Sequence, residues 1–175
     1  LETAAVALPA LSGATARYEN SGAAVPSALP ATIEISDDRD NLGDDPFVLI
    51  VEDDVTFASI LLDLAHDAGL KGVISIAGSG TLAMARKLRP DGITLDLGLD
   101  DINGFVLLDL LKHDPETTDI PIHVISGAEE IASVTAMGAF GVTGKPANDR
   151  DLAKIFGAIR KEAKSGKKPR RGKAK

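Results

Sequence analysis

The sequence predicts an α/β fold: a doubly wound, five-stranded parallel sheet with helices on both faces. Two observations carry the prediction. Between Phe47 and Ala163, short apolar runs alternate with helical periodicity in five successive units, and each right-handed crossover between parallel strands must bury a helix stripe. Four of the runs also end in polar or charged residues. Phe47-Val48-Leu49-Ile50-Val51 meets Glu52-Asp53-Asp54, and Gly92-Ile93-Thr94-Leu95 meets Asp96. Ile120-Pro121-Ile122-His123-Val124-Ile125 meets Ser126, and Ala139-Phe140-Gly141-Val142-Thr143 leads to Lys145-Pro146. If these runs are neighbouring parallel strands, the terminal side chains converge at the carboxyl edge of the sheet, where open α/β folds place ligands.

The elements follow in order. Asp54 caps a helix in which Ala58, Leu61, Leu62 and Ala65 recur at helical spacing, and Gly69 ends it. Val73-Ile74-Ser75-Ile76 is a short strand, and a helix from about Ser79 to Leu88 follows, opened by the Gly78-Ser79-Gly80 turn. Pro90 and Gly92 reset the chain for the strand ending at Asp96. Phe105 to Lys112 is an apolar helix stopped by Asp114-Pro115. After the strand ending at Ser126, a helix from about Glu129 to Met137 closes on Gly138. The fifth strand and a helix from Asp149 to about Ala163 complete the pattern.

The flanks have other compositions. Residues 1–46 are rich in Ala and Pro, then acidic through Asp37, Asp38, Asp40, Asp44 and Asp45, and read as a flexible linker. Residues 164–175 read as a basic, disordered tail. The chain opens on Leu rather than Met, which points to a longer parent. No apolar stretch is long enough to span a bilayer, so no membrane contact is expected of this domain. A net charge of −7 argues against nucleic-acid binding. Without cysteine, disulfides, thiolate catalysis and Cys-ligated zinc are excluded, and a cytoplasmic location is expected.

The chemistry lies in the strand-end residues. Glu52, Asp53 and Asp96 would bring three carboxylates together, and like charges in a crevice repel unless a cation offsets them. Hard oxygen donors suit Mg²⁺. Lys145 supplies a point charge for a phosphoryl oxygen, Ser126 a hydroxyl, and Asp96 the carboxylate placed to attack phosphorus. Phosphoryl transfer needs chiefly alignment and neutralisation of charge. Each residue alone has a plainer reading: Asp54 as a cap, Glu52 or Asp53 as a solvated strand end, Lys145 and Ser126 as turn residues. Their common placement at run ends is what chance seldom produces. His66, His113 and His123 lack the surroundings of a phosphoacceptor helix and read as structural or surface residues.

Val48-Leu49-Ile50-Val51-Glu52-Asp53-Asp54, Leu95-Asp96-Leu97-Gly98, Gly104, Ile125-Ser126-Gly127 and Lys145-Pro146 resemble the signature of the CheY-like receiver domains of two-component response regulators. The resemblance covers residues 47–163 and implies the flavodoxin-like strand order 2-1-3-4-5. It implies that Asp96 takes a phosphoryl group from a phosphohistidine on a histidine kinase or phosphotransfer domain. Asp53, Asp96 and the backbone carbonyl of Gly98 would hold Mg²⁺, with Glu52 acting through water, Ser126 as the hydroxyl that moves toward the phosphoryl group, and Lys145 as its lysine partner. Such a domain catalyses only its own phosphorylation and dephosphorylation, and the expected parent is a hybrid sensor histidine kinase. The face formed by the fourth helix, fifth strand and fifth helix is the family's signalling surface and a candidate homodimer contact.

Departures from the pattern are specific. Asp100 stands where many receivers carry proline, and Asp101 makes the loop still more anionic. The segment from Ser126 to Lys145 is short, which predicts a short or displaced fourth helix. Val142 occupies the usual aromatic switch position, and Phe140, two residues earlier, is read as ordinary packing. These departures support an alternative, a receiver-like interaction module that signals without phosphorylation. The retained acids, Ser126 and Lys145 oppose it.

Overall fold

A computed structural model describes residues 35–127 and 131–166, apart from the side chains of 131 and 132. The sequence readings for residues 1–34 and 167–175 lie outside the described residues. The elements are β1 (Phe47–Val51), α1 (Val55–Asp67), β2 (Lys71–Ser75), α2 (Thr81–Leu88), β3 (Gly92–Leu95), α3 (Gly104–His113), β4 (Ile122–Ser126), α4 (Ile131–Ala136), β5 (Gly141–Gly144) and α5 (Asp149–Ser165). The five strands form one sheet in the order β2-β1-β3-β4-β5, and every pair is parallel. The strand order reverses at β1, so the crevice between the ends of β1 and β3 is the topological switch point.

Alternation along each strand divides the core between two faces. Leu49, Val51, Ile93, Leu95, Ile122 and Val124 pack on one side with Leu107, Leu108 and Leu111 of α3. Val48, Ile50 and Ile74 pack on the other with Leu61 of α1 and Ile155, Phe156 and Ile159 of α5. All of β1 is buried because it is an interior strand, flanked by β2 and β3 and covered on both faces. Each such aliphatic side chain contributes about 1.5–3 kcal/mol by leaving water.

Several boundaries differ from those read in the sequence, each for a local reason. β2 starts at Lys71 because pairing with Phe47 extends the ladder backwards, leaving Ile76 half-exposed past its end. α2 starts at Thr81, since the Gly78 and Ser79 amides donate to Asp101 at 2.9 and 2.7 Å and Gly80 takes a φ of 86° that glycine tolerates. Among the described residues α4 covers six positions, and Glu129 and Glu130, where the sequence reading began it, lie outside them. α5 continues to Ser165, into the stretch read as a tail.

The acidic end of the segment read as a linker is bonded to the open edge of β2. The Ile74 and Gly72 amides donate to the carboxylates of Asp37 and Asp38 at 2.9 and 2.8 Å. Arg39 donates to the Ile74 carbonyl at 3.0 Å, and the Asp38 amide to the Gly72 carbonyl at 3.0 Å. An exposed strand edge is a template for unwanted pairing, and these contacts cover it. Burial pushes the Asp37 carboxyl up, but Arg39 and the Ile74 amide outweigh it and hold it below the ordinary range.

His123 lies on β4 with Nε2 2.9 Å from Thr143 Oγ1, and burial pushes its pKa down to about 4. The unfolded chain would take up this proton near pH ~6.5, so between those values the unfolded state binds more protons. Stability therefore falls as pH drops through that window, by about 3 kcal/mol in all. Urea melts at pH 7 and pH 4 should show a smaller loss for His123→Gln than for the unmodified chain.

Candidate functional site at the carboxyl edge of the sheet

Register explains why the acids meet. Val51 pairs with Leu95, so Glu52 and Asp96 leave adjacent strands side by side. One carboxylate oxygen from each of Glu52, Asp53 and Asp96 lies within 4.8 Å of the other two. Glu52 is 1% exposed and Asp96 8%, whereas Asp53 is half-buried at the mouth. Lys145 arrives from β5, its backbone amide donating to the Ser126 carbonyl at 2.9 Å. Its Nζ donates to Glu52 Oε2 at 2.9 Å and to Asp96 Oδ2 at 2.8 Å.

Burial pushes the Glu52 carboxyl above its ordinary range despite the bond from Lys145, and repulsion from Asp96 adds to the effect. Burial alone would push the Lys145 ammonium down, but its bonds to Asp96 and Glu52 prevail and hold it above the ordinary lysine value. One ammonium among three carboxylates leaves negative charge in surplus. A crowded set of hard oxygen donors with such a surplus fits a small divalent cation.

The loops hold these groups in place. The Gly98 amide donates to Asp96 Oδ1 at 3.0 Å, which sets that carboxylate and seats Gly98 beside it. The Asp100 amide donates to Asp53 Oδ2 at 3.1 Å, a bond that a proline at position 100 could not make. Asp54 caps α1, accepting from the Phe57 amide at 3.0 Å. Asp101, expected to add charge to the loop, instead braces the turn before α2. Ser79, through its side chain and amide, and the Gly78 amide hold its carboxyl down to about 2.

Glu52, Asp53, Asp96 and Lys145 are thus gathered at one point, with Gly98 adjoining. Ser126 is buried at the end of β4, joined to Lys145 through its backbone carbonyl. Val142 packs inward against the α3 side of the core, whereas Phe140 is 46% exposed rather than ordinary packing. The sequence reading missed Phe57, whose ring centroid lies 4.7 Å from Lys145 Nζ. Its only signal was an aromatic residue one turn into the helix that Asp54 caps.

A sequence profile for the response regulator receiver domain matches residues 48–156. The DNA-binding dual master transcriptional regulator RpaA of Synechocystis sp. is 31% identical over 86 residues, which are 49% of this chain and 36% of that protein. The chain thus spans about a third of that relative's length. The signal receiver domain of a DNA-binding response regulator from Colwellia psychrerythraea is 27% identical, with a TM-score of 0.62 over 67% of this chain and 99% of that one. The receiver domain of the sensor histidine kinase PA1611 from Pseudomonas aeruginosa, solved with a magnesium ion in its active-site cleft, shares the fold at 17% identity and a TM-score of 0.60, over 67% of this chain and 98% of that one. With the parallel sheet, its strand order and the acidic crevice, the match shows that this chain belongs to the response regulator receiver domains, the phosphoacceptor modules of two-component signalling.

Proposed function

We propose that Asp96 is the phosphoacceptor of this domain and that its donor is a phosphohistidine on a histidine kinase or phosphotransfer domain. The observation that supports this most is the Lys145 ammonium bound to both Glu52 and Asp96 beside Asp53. An Asp96 oxygen forms a bond to phosphorus while the phosphorus–nitrogen bond of the donor breaks. The electron pair returns to the imidazole nitrogen, and the product is an acyl phosphate on Asp96. Lys145 turns an N–H toward a phosphoryl oxygen, and the Ser126 hydroxyl is the candidate partner for another. Asp53, Asp96 and the Gly98 carbonyl would hold Mg²⁺, with Glu52 acting through water. When bound, the ion neutralises the carboxylates and draws in the anionic phosphoryl group. The domain on this reading catalyses only its own phosphorylation and dephosphorylation. Among the described residues no helix is long and apolar enough to cross a membrane.

Incubation with acetyl phosphate and Mg²⁺ should add a single hydroxylamine-sensitive phosphoryl group, and a chelator should prevent it. Mg²⁺ at about a hundred times its dissociation constant should also stabilise the fold by about 2.7 kcal/mol, read as a higher Tm. Labelling that persists in the chelator would refute the role given to the acids.

A further inference from the structure

We propose that Phe57 is a positioning residue for Lys145, its ring face holding the ammonium over the acidic crevice. The inference rests on the reading of Lys145 as the cation that meets the phosphoryl group. An ammonium has three N–H donors. Lys145 Nζ gives bonds to Glu52 Oε2 and Asp96 Oδ2 at 2.9 and 2.8 Å, and the Phe57 ring centroid stands 4.7 Å away. At that distance the negative face of the ring attracts a cation, more so where water is scarce.

The ring is itself held from both ends. Its backbone amide donates to Asp54 Oδ1 at 3.0 Å, so the third acid of the Glu52-Asp53-Asp54 run fixes the first turn of α1. Its side chain packs, partly buried, against the core shared by α1 and α5. The consecutive acids therefore act differently: two line the crevice, and the third sets the aromatic that supports its lysine.

The chemistry favours an aromatic here over another polar group. A further carboxylate would accept a hydrogen bond from Lys145 and compete with the phosphoryl oxygen for it. A ring attracts the charge without offering a lone pair, so Nζ stays in place while its bonds are exchanged. A leucine of similar bulk fills the space but lacks the quadrupole.

The test compares the unmodified chain with Phe57→Leu and Phe57→Tyr. In spectra of ¹³C-lysine-labelled protein, the ε-methylene protons of Lys145 should be displaced upfield by the ring current. Phe57→Leu should abolish that displacement and Phe57→Tyr should keep it. Phosphorylation by acetyl phosphate should slow about three- to tenfold in Phe57→Leu and recover in Phe57→Tyr, while Mg²⁺ affinity by calorimetry stays unchanged in both. The inference is overturned if Lys145 of the unmodified chain shows no upfield displacement, or if Phe57→Leu is phosphorylated at the original rate. Equal losses in Leu and Tyr variants would also overturn it, as would a matching fall in Mg²⁺ affinity. Failure of the unmodified chain to accept phosphate would instead sink the parent reading, leaving the spectral result to decide the contact.

Discussion

Asp96→Asn is expected to abolish phosphoryl incorporation altogether while leaving the fold intact. Asparagine has almost the shape of aspartate, and its oxygen can still accept from the Gly98 amide or the Lys145 ammonium, the two donors that hold Asp96. What it lacks is a negative oxygen able to bond to phosphorus. Stability should stay level or rise by about 1 kcal/mol, because one of three crowded charges is gone. The Glu52 carboxyl, which repulsion from Asp96 helps to push up, should titrate lower in this variant. Labelling with radioactive acetyl phosphate, beside a thermal melt, separates loss of chemistry from loss of structure. Residual labelling in folded Asp96→Asn would mean that another group accepts phosphate.

Gly104→Ala should cause a large loss of stability for a single methyl group. Gly104 opens α3, and its amide donates to the Leu97 carbonyl at 3.3 Å, so the helix abuts the loop that follows Asp96. A methyl group there would stand 2.3 Å from Leu97 Cα and 2.8 Å from Leu97 O. Both are backbone atoms and cannot rotate aside. Alanine favours a helix over glycine by about 1 kcal/mol, but overpacking against a rigid partner costs about 3 kcal/mol, so the clash prevails. Because Leu97 and Gly98 carry the amide that aims Asp96, Mg²⁺ affinity should fall as well. Urea unfolding and calorimetric titration measure the two effects, and a more stable variant would contradict the packing described.

Much of this was legible in the chain because its signals are local and periodic. Run ends at Glu52, Asp96, Ser126 and Lys145 could be placed on one sheet edge from alternation alone, and the resemblance supplied the strand order that the sheet shows. The contacts that escaped notice join residues distant in sequence. Asp101 reaches the Gly78 and Ser79 amides across 23 and 22 positions, and no pattern within either segment announces it. Asp37 and Asp38 looked like solvated linker acids, yet they accept from the edge amides of Ile74 and Gly72, whose lack of a neighbouring strand only the topology reveals. Phe57 stands beside the Ala58, Leu61, Leu62 and Ala65 stripe and outside it, so the helical period did not mark its place over Lys145.

On the proposed function, the carboxylates that converge at the β1–β3 switch point let an oxygen of Asp96 bond to phosphorus. Borohydride reduces an acyl phosphate on aspartate to homoserine, which peptide mass spectrometry can locate. After treatment with acetyl phosphate and Mg²⁺, homoserine is expected at position 96. Its appearance at position 53, or nowhere in the chain, would contradict Asp96 as the phosphoacceptor.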